Sequence, residues 1–206
     1  MFTRIEGLKP ILNLFDDVPC VVTVGACWVE WDSLHRSDGN FAIKTLGSGS
    51  SVGLGLALSL PHRKIAILDG DGAVLMNMNG LASVGRLRPK NLIHIVFDNK
   101  VYEASGCIQT ATAFNADLVA VARALGIENA RRVDTVDAFG QSVRHAFASD
   151  GPHFIVASTK LSEGDMSTAY ARLEETENKY RFIRFLERTE GRPLREDAID
   201  IKLSLK

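Results

Sequence analysis

The chain has 206 residues, 46% hydrophobic and 24% charged, with a formal net charge of −1. That length suits one domain, or one with a small appendage, and a sizeable core. The near-neutral charge argues against a nucleic-acid or anionic-membrane partner, and no apolar run approaches the ~18 residues of a membrane-spanning helix.

In chain order, residues 1–19 read as a helix or loop around Ile11, Leu12, Leu14 and Phe15, bounded by Pro10 and Pro19. This segment lacks a basic stretch followed by an apolar one, so a cytoplasmic location is expected. Cys20 to Val24 is a β run rich in β-branched residues, closed by Gly25. Trp28 and Trp31 read as packing anchors at a helix start or a subunit seam. Ser33 to Asn40 is a polar loop and Phe41 to Leu46 a short strand. Gly47-Ser48-Gly49-Ser50-Ser51-Val52-Gly53 then opens a helix that runs to Leu60, before Pro61. Small residues there let backbone approach a ligand or another chain closely.

Ile65 to Leu68 and, apart from His94, Leu92 to Phe97 are unbroken apolar runs, as in parallel strands covered on both faces. Between them lie a tight turn, Asp69-Gly70-Asp71-Gly72, and a helix from about Met78 to Leu87, capped by Asn77 and stopped by Pro89. After Asp98-Asn99 the chain leaves the sheet through Tyr102, a packing residue, and Glu103, read as a solvated charge in preference to a pocket acid. Asp117 to Leu125 is an amphipathic helix, Ala130 to Val133 a strand, Thr135 to Phe147 a capped helix and His153 to Ala157 the last clear strand. His145 reads as a surface or packing histidine. Cys20, Cys27 and Cys107 lack CxxC spacing, which gives neither a disulfide framework nor a zinc or iron–sulfur site.

Alternating strands and helices predict an α/β fold, a doubly wound, mostly parallel sheet with helices on both faces. Residues 1–160 form the ligand-binding domain in this reading. Residues 161–206 add a charged helix over Ser167–Arg188, with Leu173, Tyr180, Phe182, Ile183, Phe185 and Leu186 as its apolar face. This appendage packs on the same domain or on a partner subunit, and the tail REDAIDIKLSLK suits an edge strand or a clasp.

Two polar clusters, Asp69–Gly72 and Asp98-Asn99, end the two apolar strands and can share one crevice beyond the carboxyl ends of the sheet. A carboxylate and an amide oxygen beside exposed glycine backbone suit a hard divalent cation, Mg²⁺ in particular, bridging to a phosphate. The competing reading is a nicotinamide dinucleotide fingerprint, G-x-G-x-x-x-G at 47–53 with Asp69 22 positions after Gly47. It would make the chain an NAD(P)-dependent oxidoreductase, but it leaves the GDG turn and Asp98-Asn99 unexplained.

Gly70-Asp71-Gly72, with Asn99 28 positions after the aspartate, resembles the GDG…N motif of thiamine-diphosphate-dependent enzymes. DNKVYEASGCIQT resembles the DN-x-x-Y-x-S/T-T-G-G-Q-P-T run of sulfopyruvate and phosphonopyruvate decarboxylases, and GSGSSVGLGLAL resembles their GSMGLASSIGLGLAL run. The resemblance spans about Val21 to Leu186. It implies the thiamine-diphosphate-binding fold, with Mg²⁺ held by Asp71, Asn99 and the carbonyl of Val101. It also implies cofactor contacts at Gly25, Gly47, Ser48, Gly70, Gly72, Ala73 and Tyr102, a prop at Leu46 and a carbonyl acceptor at Lys44.

Three departures stand out. Gly25-Ala26-Cys27-Trp28 replaces G-x-P-S, Lys44 stands where glycine is common, and Ser105–Thr110 reads SGCIQT in place of TGGQPT. The cysteines also differ from those of the related 2-oxoacid:ferredoxin oxidoreductase beta chains, which carry a cluster. The family's activating glutamate belongs to a pyrimidine domain for which this chain has no room, so no catalytic residue is assigned here. The resemblance therefore implies the diphosphate-binding subunit of a split decarboxylase of small 2-oxo acids, paired with a pyrimidine-domain (alpha) subunit in a hetero-oligomer of dimers. A carboligase subunit and a non-catalytic relative are the alternatives within the family.

Overall fold

The computed structural model describes residues 1–161 and 174–194. The apolar runs form strands β1 (Cys20–Thr23), β2 (Asn40–Ile43), β3 (Ile65–Gly70) and β4 (Leu92–Asp98). A two-stranded hairpin follows, β5 (Val101–Tyr102) with β6 (Ile108–Gln109), and then β7 (Asn129–Val133) and β8 (His153–Ser158). Helices α1 (Arg4–Leu8), α2 (Ala26–Leu34), α3 (Gly49–Ser59), α4 (Asp71–Met76), α5 (Asn79–Leu87), α6 (Leu118–Ala124), α7 (Val136–Ala148) and α8 (Glu175–Glu190) connect or flank them.

Six strands pair in parallel in the order β2-β1-β3-β4-β8-β7. Because side chains alternate along a strand, each contributes to two cores. Ile65 and Ile67 face a cluster with Leu54 and Ala57 of α3, Leu81 and Val84 of α5, Leu118 of α6 and Phe185 of α8. Ala66 and Leu68 face the other, with Leu8 of α1, Trp31 of α2 and Phe139 and Val143 of α7. Burial on both sides explains why these strands lack polar alternation. The doubly wound α/β prediction is borne out.

Three local readings change. The 69–72 segment is not a free turn: β3 runs through Gly70, and Asp71 starts α4. This helix ends at Asn77, whose Oδ1 accepts from the Asn79 N–H at the start of α5 (3.2 Å). Ser33 and Leu34 belong to α2, and Asn40 is a buried residue opening β2 rather than part of a solvated loop. Asn40 holds Trp31, accepting from its indole N–H at 2.8 Å, so Trp31 is a core anchor.

Of the C-terminal appendage, α8 buries Phe182, Phe185 and Leu186 against the first cluster. Asn178 on α8 pairs with the open edge of β2, accepting from the Ala42 N–H (2.9 Å) and donating to the Asn40 carbonyl (2.9 Å). The predicted helix start at Ser167, Leu173 on its apolar face and the tail from Arg195 onward lie outside the described residues. Among the described residues, no helix is long and apolar enough to cross a membrane.

Candidate functional site

The chain reverses direction across the sheet at β1: the crossover through α2 leads to β2 on one side, while β3 lies on the other. Loops leaving β1 and β3 therefore diverge, and such a switch point opens a crevice at the carboxyl ends of the strands. A cleft of about 330 Å³ lies there. Its walls include Thr23–Cys27 after β1, Lys44 and Leu46 after β2, Gly70–Ala73 after β3, and Asn99 with Val101–Ser105 after β4. Ten predicted site residues line it: Gly25, Lys44, Leu46, Gly70, Asp71, Gly72, Ala73, Asn99, Val101 and Tyr102. Gly47 and Ser48 do not. Gly47 packs behind the rim, where a Cβ would stand 2.6 Å from that of Asn77.

Local geometry explains the small residues. Gly25 has φ +106, open to glycine and strained for other residues, and it starts α2 with its first turn at the cleft. The N–H groups of a helix N-terminus favour an anion. Gly72 lies beneath the Tyr102 ring, which an added Cβ would meet at 2.4 Å, so Tyr102 is a packing residue as predicted. Gly70 differs: its φ of −104 suits any residue, and an added Cβ would meet nothing within 4 Å. Neither conformation nor protein packing demands glycine there, which leaves the space for a ligand.

Asp71 is 2% exposed. Its Oδ2 accepts from the hydroxyls of Thr110 (2.6 Å) and Thr112 (2.9 Å). Thr112 Oγ1 also lies 2.8 Å from Asp98 Oδ1, and Arg132 donates to Asp98 Oδ2 at 2.7 Å. Burial raises the Asp71 pKa above the ordinary carboxylate value; the nearby charge of Asp98 adds to this, while the Thr110, Thr112 and Gly72 hydrogen bonds oppose it. Asn99 Oδ1 accepts from the Val101 N–H at 3.1 Å, and its Nδ2 donates to Glu103 Oε2 at 2.9 Å.

Glu103 is therefore no solvated charge. Its side chain is 12% exposed, lines the cleft and accepts from Arg4 at 2.7 Å. Arg4, which sequence reasoning missed, is 4% exposed and also binds Glu30 at 2.5 Å. Burial acts against its charge, yet Glu30 and Glu103 outweigh that and raise its pKa. Nothing in the sequence marks Arg4, because its partners lie 26 and 99 positions away. The bulk of Trp28 is directed elsewhere: it lines a separate charged groove with Asp32 and Arg36, and the cleft wall at this turn is Ala26 and Cys27. Burial pushes the Cys27 thiol up to about 12, which keeps it neutral.

The dinucleotide reading gains no support. Asp69 is 1% exposed and already engaged, with Oδ1 accepting from the Thr23 hydroxyl at 2.6 Å and Oδ2 3.2 Å from His94 Nε2. Gly49 makes room for that carboxylate, since an added Cβ would stand 2.7 Å from Asp69 Oδ2. The donor set at the cleft does fit Mg²⁺: a carboxylate, an amide oxygen and a backbone carbonyl, leaving other positions for phosphate oxygens and water. Among the described residues, no group of three or more His, Cys, Asp or Glu offers a competing metal site.

Residues 25–157 match the family described as "Thiamine pyrophosphate enzyme, C-terminal TPP binding domain". The chain is 34% identical to the sulfopyruvate decarboxylase subunit beta of Methanothermobacter thermautotrophicus, over 89% of this chain and 95% of that one. It is 37% identical to the phosphonopyruvate decarboxylase of Streptomyces viridochromogenes over 74% of its own length, but spans only 38% of that relative. A Mycobacterium smegmatis protein described as a thiamin diphosphate-dependent enzyme shares the fold, with a TM-score of 0.67 at 18% identity over 78% of this chain and 32% of that one. With the switch-point cleft and the GDG…N residues on its walls, this chain belongs to the thiamine pyrophosphate enzymes and corresponds to their C-terminal cofactor-binding domain.

Proposed function

We propose that this chain is the diphosphate-binding subunit of a thiamine-diphosphate-dependent decarboxylase of small 2-oxo acids, with the pyrimidine-binding half on a separate alpha chain. The observation that carries the reading is the likeness to a sulfopyruvate decarboxylase beta subunit, 34% identical over 95% of that relative. A sulfonate- or phosphonate-bearing 2-oxo acid is the substrate class these relatives favour. We also infer a cytoplasmic hetero-oligomer of dimers, and residues 161–206 as an appendage to the 1–160 domain or to its partner.

When bound, thiamine diphosphate supplies the electron sink that lets a 2-oxo acid lose carbon dioxide. The residues of this chain anchor it. Asp71, Asn99 and the Val101 carbonyl would hold Mg²⁺, and the first turn of α2 beyond Gly25 would receive the diphosphate. Leu46, on the cleft rim, would support the cofactor, and the Lys44 carbonyl would accept from its amino group. The cleft carboxylates are Asp71, the metal ligand, and Glu103, engaged by Arg4 and Asn99. The acid that activates the aminopyrimidine is accordingly assigned to the partner.

The test is reconstitution. Alone the chain should release no carbon dioxide from 2-oxo acids, and mixing with a pyrimidine-domain chain should restore thiamine-dependent release. Full activity of the isolated chain overturns the split-subunit reading. Calorimetric titration should show binding of thiamine diphosphate with Mg²⁺, and none of NAD(P).

A further inference from the structure

The amide of Asn99 has two ends of nearly the same size, and only the oxygen can bind a cation; a flipped amide would present two N–H groups instead. A metal site built on asparagine therefore needs something to fix the orientation. We propose that Arg4 and Glu103 are positioning residues that set the Asn99 amide with its oxygen toward the metal. This rests on the reading of Asn99 as a Mg²⁺ ligand.

The geometry is specific at each step. Glu103 Oε2 accepts from Asn99 Nδ2 at 2.9 Å, and an ionised carboxylate can only accept, so it tolerates only the NH₂ end of the amide. From the other side, the Val101 N–H donates to Asn99 Oδ1 at 3.1 Å. An acceptor on the nitrogen and a donor on the oxygen select the same orientation, and the oxygen keeps a second lone pair.

Glu103 is itself fixed. The same Oε2 accepts from Arg4 at 2.7 Å, a charge-assisted bond to a side chain that is 4% exposed. Arg4 is anchored by Glu30 at 2.5 Å and lies 5.8 Å from the centroid of the Phe97 ring, itself a wall of the cleft. It is placed by α1, whose Thr3 and Glu6 form a reciprocal cap, and by the bridge between Phe2 and Thr159. A residue outside the 25–157 family match thus lines the cleft itself and acts on Asn99 through one carboxylate. Neither Arg4 nor Glu103 needs to touch the metal.

The probe is Mn²⁺, followed by electron paramagnetic resonance in the presence of thiamine diphosphate and, where wild-type binding requires it, of the pyrimidine-domain chain. Glu103→Met keeps the length of the side chain but removes the acceptor, so the Asn99 amide is no longer discriminated; glutamine would not serve, because Arg4 would turn its oxygen to the same point. Its metal affinity, measured well below the melting temperature of each variant, should fall about 10-fold, the lower range for loss of a group that orients a ligand. The same substitution in an Asn99→Ser background should cost nothing further. If wild type binds, Asn99→Ser weakens binding and Glu103→Met binds like wild type, the orienting role is overturned. If the wild type does not bind, or Asn99→Ser binds equally, the metal reading fails and this proposal falls with it. A measurement independent of variant folding is the ¹⁵N–¹H spectrum of the metal-free wild type. One Asn99 side-chain proton should be deshielded and slow to exchange, and two solvent-like protons overturn the proposal.

Discussion

The two side chains proposed as metal ligands are held in different ways. Asp71 is almost wholly buried, and its supports Thr110, Thr112, Asp98 and Arg132 all follow it in the chain. Asn99 is half-buried, and its orientation depends on Glu103 and, through it, on Arg4 near the start of the chain. A strand end can put a ligand in place, but the direction in which its polar atoms point is decided by whatever packs beside it. For Asp71 the neighbours are hydroxyls and a second carboxylate; for Asn99 they are an ion pair.

The contrast can be tested from either side, and the strongest effect belongs to Asp71. Asp71→Ala removes the one charged ligand, and Mg²⁺ affinity in the presence of thiamine diphosphate should drop on the order of 100-fold or more, beyond what loss of an orienting group costs. Calorimetry of Asp71→Ala beside Asn99→Ala should rank the charged ligand above the neutral one. An Asp71→Ala chain that needs no more Mg²⁺ than wild type breaks the comparison and the site assignment. Next is Thr112→Val, which takes from Asp71 and Asp98 the hydroxyl between them. It should destabilise the metal-free protein by about 1–3 kcal/mol in urea unfolding, as for buried polar groups deprived of a partner.

The smallest expected effect is on pH dependence. Burial raises the Asp71 pKa in the metal-free fold, so between the unfolded and folded values the native state binds more protons than the unfolded chain. Stability then falls as pH rises through that window and is recovered as pH drops. Asp71→Asn should remove this component and raise the melting temperature of the metal-free protein at neutral pH. For wild type, Mg²⁺ should offset the same penalty. No counterpart is expected at Asn99, because an amide does not ionise. A melting profile of Asp71→Asn that parallels wild type at every pH would remove the electrostatic half of the contrast.

How far the sequence reached follows the same division. Doubly buried strands show themselves as apolar runs, so β3, β4 and β8 were evident, and so was the crevice at their carboxyl ends. Gly70, Asp71 and Asn99 were legible because spacing along the chain is what the resemblance uses. Helix α2 was legible only as one of two readings of its tryptophans: ACWVEWDSL carries two tryptophans and a valine, which are moderate helix formers, and Phe15 and Asn40, the partners that hold Trp31, lie outside the helix. The start of α4 was hidden because Asp-Gly-Asp-Gly is a turn signal by composition. Arg4 and its pairing with Glu103 were beyond reach, since no local pattern pairs residues 99 positions apart.

The amide of Asn178 has a consequence for folding. It occupies the hydrogen-bonding positions on β2 that a seventh strand would take. An uncovered sheet border is a template for intermolecular pairing and fibril growth. The cover arrives from 136 positions downstream, after the sheet it protects has been synthesised. The nascent chain is therefore most prone to aggregate in the interval before α8 docks.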